Sequence, residues 1–132
     1  MDWSSLNMEA AMFDIQPELS LFPAIVGHLT GDYLLQNDWM ALHKKNSTFR
    51  CAVHCAIWST AVVLFSRWPL WTFVPLFVTH FAQDRTNIVA WWMDTIGQKS
   101  FRTGVCAPWS AIVVDNVWHV VTIFALWVVV NS

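Results

Sequence analysis

Gly27-His28-Leu29-Thr30-Gly31-Asp32-Tyr33-Leu34-Leu35-Gln36 sets a histidine, a carboxylate and an amide at i, i+4 and i+8 within an otherwise apolar stretch. At 3.6 residues per turn, that spacing puts all three on one helical face. The same pairing recurs as His80/Asp84 and, reversed, as Asp115/His119. A helix with one polar stripe and apolar flanks must turn the stripe toward a partner. Three such helices in one chain point to a bundle around a shared polar centre.

Composition says where such a bundle would sit. Apolar residues make up 56% of the 132 residues and charged ones only 12%, against a usual charged share of about 25%. One soluble core of this size cannot cover so much apolar surface. Ten Trp and nine Phe against one Tyr also suit a chain whose rings anchor at lipid–water interfaces. The net charge of −2 and the absence of a basic run give no support to nucleic-acid binding. Three cysteines do not make a disulfide framework. The N-terminus lacks the basic and short apolar regions of a cleavable signal.

The expected fold is all-α: a polytopic membrane four-helix bundle in a single domain, 1–132. A short acidic amphipathic helix over 1–18 lies on the surface and ends at Pro17. Spans are expected over about 19–36, 51–65, 70–92 and 109–130. Ala24, Gly27 and Gly31 form a small-residue ridge that lets another helix approach closely. Trp68, before Pro69, reads as an interfacial anchor in the second loop. Six of the seven basic residues (Lys44, Lys45, Arg50, Arg85, Lys99, Arg102) fall in or next to loops one and three. The positive-inside rule therefore puts those loops in the cytoplasm and both termini outside. With that orientation, His28, Asp32, His54, His80, Asp84, Asp115 and His119 all fall at similar depth in the cytoplasmic half.

An ionised side chain at the bilayer centre costs about 2.5–3.5 kcal/mol even on the lenient insertion scale. Three intramembrane aspartates therefore need partners. These seven groups are the candidate metal ligands, for one or two divalent ions, zinc or manganese by ligand type. A metal-free proton pathway and purely structural His–Asp hydrogen bonding between helices are the competing readings. Cys51 and Cys55 read as packing residues. Lys44 and Lys45 set topology and could also hold a phosphate at the membrane surface.

Residues 28–41, followed by Lys44, resemble a family of small bacterial and phage membrane proteins classed only as a domain of unknown function. The pattern falls on His28, Asp32, Gln36, Trp39, Lys44, His54, His80, Asp84, Asp115 and His119. Asn87 stands where the family pattern has a lysine, and Asn116 replaces a glutamine. The resemblance implies a bacterial inner-membrane location and covers about residues 24–130.

The functional expectation is a metal-dependent hydrolase of a lipid-linked or phosphorylated substrate. Asp32 and Asp84 are its candidate acid–base groups and Lys44 its phosphate ligand. Membrane lipid is the expected partner, and a homo-oligomer is compatible. A proton or metal-ion transporter is the alternative, and a non-catalytic partner-binding protein a second one. The apolar outer halves of the helices favour a one-sided site over a pore through one copy.

Overall fold

The computed structural model describes residues 20–132, so the surface helix expected over 1–18 lies outside the described residues. Those described are all-helical, with no strand among them. Helix α1 (Leu21–Leu29) runs directly into a π-helical turn, Thr30–Leu34. After it come α2 (Asp38–Ala41), α3 (Thr48–Ser66), a 3-10 turn (Leu70–Thr72) and α4 (Phe73–Arg85). The chain then continues through α5 (Ile88–Thr95), α6 (Lys99–Thr103) and α7 (Trp109–Val130). α1 packs on α3, α3 on α4, and α7 closes against α1 and α4. That ring is the four-helix bundle.

The α1–α3 contact explains the glycines. A Cβ at Gly27 would stand 2.8 Å from the Ala61 carbonyl oxygen and 2.8 Å from the Val62 Cα. One at Gly31 would stand 2.8 Å from the Trp58 ring. Only hydrogen fits, so the two backbones lie almost in contact, with Ala24 fully buried one turn earlier.

Local signals fix the ends of α3. Ser47 caps it, its hydroxyl accepting from the Arg50 N–H at 3.3 Å. Arg67 closes it in the left-handed conformation (φ 56°), and Pro69 prevents continuation. Trp68, expected at the membrane interface, is instead buried, and its indole N–H donates to Ser20 Oγ at 2.9 Å. The sharp turn at Arg67 aims this ring back under the start of α1 rather than outward.

The third expected segment, 70–92, is built from three pieces. Thr86 is extended (ψ 174°), and this ends α4 and re-aims α5. No Gly or Pro causes the break. The segment after α2 stabilises it from outside: the Lys45 ammonium donates to the Gln83 carbonyl at 3.3 Å and to that of Thr86. Arg85 returns a bond to the Lys45 carbonyl at 2.6 Å. Carbonyls that a helix end leaves without partners thus receive a cation.

Two helices, α3 and α7, are long and apolar enough to cross a membrane. They differ in burial. The apolar window of α3 is 44% buried in the bundle and that of α7 only 11%. The core helix of a water-soluble protein would be mostly buried, and α7 is not. One end of the bundle is a dry core of Ala24, Val62, Val63, Trp68, Leu76 and Ile123. The other end holds the polar stripes.

Candidate metal centre

Each stripe reaches the centre from a different helix. The π turn presents Asp32, α3 presents His54, α4 presents His80 and Asp84, and α7 presents Asp115 and His119. His54, His80, Asp84 and His119 are each buried to within 1%. His54 Nε2, His80 Nε2 and Asp84 Oδ2 form a nearly equilateral triangle, with edges of 3.0, 3.1 and 3.2 Å. Ligand atoms about 2.0–2.1 Å from one cation stand about 2.8 to 3.0 Å apart in octahedral and about 3.3 to 3.4 Å apart in tetrahedral arrangement, and the triangle falls between the two. Asp32 Oδ1 approaches the same two nitrogens, at 3.2 Å from His54 and 3.6 Å from His80.

Protons alone fit this arrangement poorly. The Lys44 ammonium also lies 2.9 Å from Asp84 Oδ2, so three nitrogens converge on one oxygen with two lone pairs. The two imidazole nitrogens at 3.0 Å can share one proton between them, not two. A cation in the triangle would instead accept one lone pair from each corner. The residues present therefore fit a divalent metal. Asp84 can also face a second ion. Its Oδ1 is 3.9 Å from His119 Nε2, which lies 3.4 Å from Asp115 Oδ2, and these three residues form a further group of suitable ligand spacing. Asp32, His80 and His119 make a third such grouping.

His28 is placed differently from the other six. Its Nδ1 accepts the Trp58 indole N–H at 3.0 Å and lies 3.2 Å from Asp32 Oδ2. It is absent from all three ligand groupings and stands behind Asp32. Trp58 is the residue that sequence reasoning missed. Its ring lies on His80 (centroids 4.1 Å, 31°), and His80 in turn stacks on His119 (4.1 Å, 18°). It sits one turn after His54, on the same face of α3, and that spacing was the available signal.

Above the centre opens a cavity of about 410 Å³, reached by Asp32, Gln36, Lys44, Lys45, Asp84 and Asp115. Burial would lower the Lys44 pKa, but the Asp84 charge and hydrogen bond outweigh it and hold the ammonium above the ordinary lysine range. Lys45 goes the other way: burial pulls it below that range, and Asp84 and Asp115 offset this only in part. His43, by contrast, is solvent-exposed.

Residues 20–132 match the family model described as "Protein of unknown function (DUF3307)". The chain belongs to this family. No curated protein and no solved structure matches it. Membership in the DUF3307 family brings no reaction with it.

Proposed function

We propose that this DUF3307 protein is a bacterial inner-membrane, metal-dependent hydrolase acting at the cytoplasmic leaflet on a phosphorylated or lipid-linked substrate. The observation that carries it is the convergence of His54, His80 and Lys44 on one buried oxygen of Asp84. A divalent cation, zinc or manganese, would be held by His54, His80 and Asp84 with Asp32 beside them, and Asp115 with His119 would serve a second ion. When bound, such a cation supplies Lewis acidity and lowers the pKa of water toward about 7.

The chain's own residues supply the rest. Trp58 and His119 clamp the His80 ring by stacking, which fixes where its Nε2 points. Where only one ion is bound, Asp115, a quarter exposed in the cavity, is free to take a proton from water entering there. Lys44, at the cavity floor, offers a positive charge to a phosphate oxygen. Trp58 and the dry core behind it block the path onward, and this speaks against conduction through one copy.

The reading on topology follows the charge pattern. Lys44, Lys45 and Arg85 lie at the cavity end of the bundle, so the cavity faces the cytoplasm if positive residues stay inside. Metal analysis of protein purified in detergent is the test. About one to two zinc or manganese ions per chain are expected, with hydrolysis of a phosphate ester that stops on chelation. Metal-free protein that gains no activity from either ion would end the proposal.

A further inference from the structure

The polar cavity is not closed on its α7 side. A second cavity of about 390 Å³ runs along the crevice between α1 and α7, and the two share Tyr33 and Asn116. Apart from His28 at its inner end and the shared pair, the walls of this second space are Leu29, Val113, Val117, Val120 and Val121. Val113, Val117 and Val121 are each more than half exposed on the outer face of the bundle. The opening is thus lateral, toward the surface that α7 would turn to lipid.

Asn116 marks the threshold chemically. Its amide nitrogen is used on its own helix, donating to the Ile112 carbonyl at 2.9 Å. Its Oδ1 is buried with no partner among the described residues. Gln36, in the polar cavity, repeats the pattern: its Nε2 donates to the Asp32 carbonyl at 3.0 Å and its Oε1 is left without a partner. Both oxygens can accept from water or from the P–OH of a singly protonated phosphate monoester lying between the apolar crevice and the centre. Beyond them the two lysines supply the positive charge.

A control lies within the same molecule. Another apolar groove, of about 370 Å³, runs between Thr30, Leu35 and the α3 residues Ile57 and Leu64. It shares no residue with the polar cavity, so ordinary lipid solvation accounts for it. Of the two grooves, it is the α1–α7 crevice that joins an apolar channel to a cationic, metal-ligating floor.

We infer that the α1–α7 crevice holds the acyl chain of a phosphate-headed lipid, which enters from the bilayer and places its headgroup over Asp32, Asp84 and Lys44. This rests on the hydrolase reading for its chemistry and narrows the substrate to a membrane lipid rather than a soluble phosphate. Native mass spectrometry of the full chain in dodecyl maltoside tests it, with dioleoyl phosphatidic acid, dioleoylglycerol and glycerol 3-phosphate as probes. Phosphatidic acid should bind at least about tenfold more tightly than glycerol 3-phosphate, since burying a few methylenes is sufficient for that factor, and more tightly than dioleoylglycerol, which offers no charge to Lys44 and Lys45. Val117→Trp and Val121→Trp, which fill the crevice, should remove about tenfold of that affinity, while Ile57→Trp in the control groove should leave it unchanged. Equal binding of glycerol 3-phosphate would assign a soluble phosphate and overturn the inference. Equal binding of dioleoylglycerol, or an Ile57→Trp effect matching that of Val117→Trp, would reduce the crevice to general lipid solvation. Metal content measured on the same samples separates the two claims. Wild type without metal sinks the metal centre, whereas metal retained without tail-dependent binding sinks the crevice alone.

Discussion

The two ends of this bundle are built from the same helices by opposite rules. At the dry end, Ala24, Val62, Leu76 and Ile123 meet through shape alone, and any apolar residue of similar volume would serve there. At the polar end, His54, His80 and Asp84 meet atom to atom at 3.0–3.2 Å, and no substitution preserves the set. Trp58 belongs to both, buried in the dry core and stacked on His80. The packing end thus holds the helices that carry the polar end in register. Burial without directional bonds gives a stiff wall, and the wall aims the ligands.

The sharpest break in that relation is Asp84→Asn. It removes the charge on which three nitrogens converge, and metal affinity should fall more than about 100-fold, beyond the usual loss for an orienting residue. Detergent-solubilised protein assayed for bound zinc or manganese would show it, with a lower unfolding temperature as well, because Lys44 loses its buried partner and the folded state its metal. Gly27→Leu is the mirror experiment. It drives a side chain into the Ala61–Val62 backbone and should cost about 1–3 kcal/mol of stability, read as a lower unfolding temperature. If the ends are coupled as argued, metal affinity falls with it; unchanged affinity would separate them.

Trp58→Phe probes the shared residue. It keeps a ring against His80 but deletes the N–H that His28 accepts, and a loss of about 10-fold in metal affinity is expected, the scale of an outer-shell hydrogen bond. The smallest effect belongs to Arg102→Ala. The forked Arg102–Asp94 pair at 2.7–2.9 Å is exposed and lines neither the polar cavity nor the crevice. Its hydrogen bond holds the Asp94 carboxyl below its ordinary range. A depressed carboxylate pKa contributes stability that is present above the unfolded value and lost only as pH falls through the folded one. Arg102→Ala should therefore show its small loss of stability at pH 6 to 8 and converge on wild type in acid below about pH 4, with metal content unchanged throughout.

What the sequence disclosed is what covalent spacing controls. His80/Asp84 and Asp115/His119 are four apart, and a helix of any environment puts both on one face. Ala24, Gly27 and Gly31 were likewise legible as a close-approach ridge, because missing side chains have few other uses in a row. Trp58 was hidden because a tryptophan in an apolar helix reads equally well as lipid-facing. The break at Thr86 was hidden for a different reason: its stabilising partner, Lys45, comes from 41 residues away. Trp68 read as an anchor by composition, and only the left-handed turn at Arg67 reversed its direction. Long-range partners and turn direction decide these cases, and neither is a property of a window of residues.

The π turn at Thr30–Leu34 has a consequence for how the chain tolerates change in length. Its closing bond runs from the Leu35 N–H to the Thr30 carbonyl at 3.0 Å, five residues back instead of four. The turn is therefore a phase adjuster carrying one surplus residue. It lets Asp32 turn one oxygen to His28 and the other to His54 and His80. Deleting one residue there would remove the surplus and restore an ordinary α-helix with its flanks still in phase, while residues inside the turn, Asp32 among them, would take new angular positions. Composition and hydropathy would hardly change, yet the carboxylate would swing out of the centre. In this segment, the number of residues carries information that their chemical nature does not.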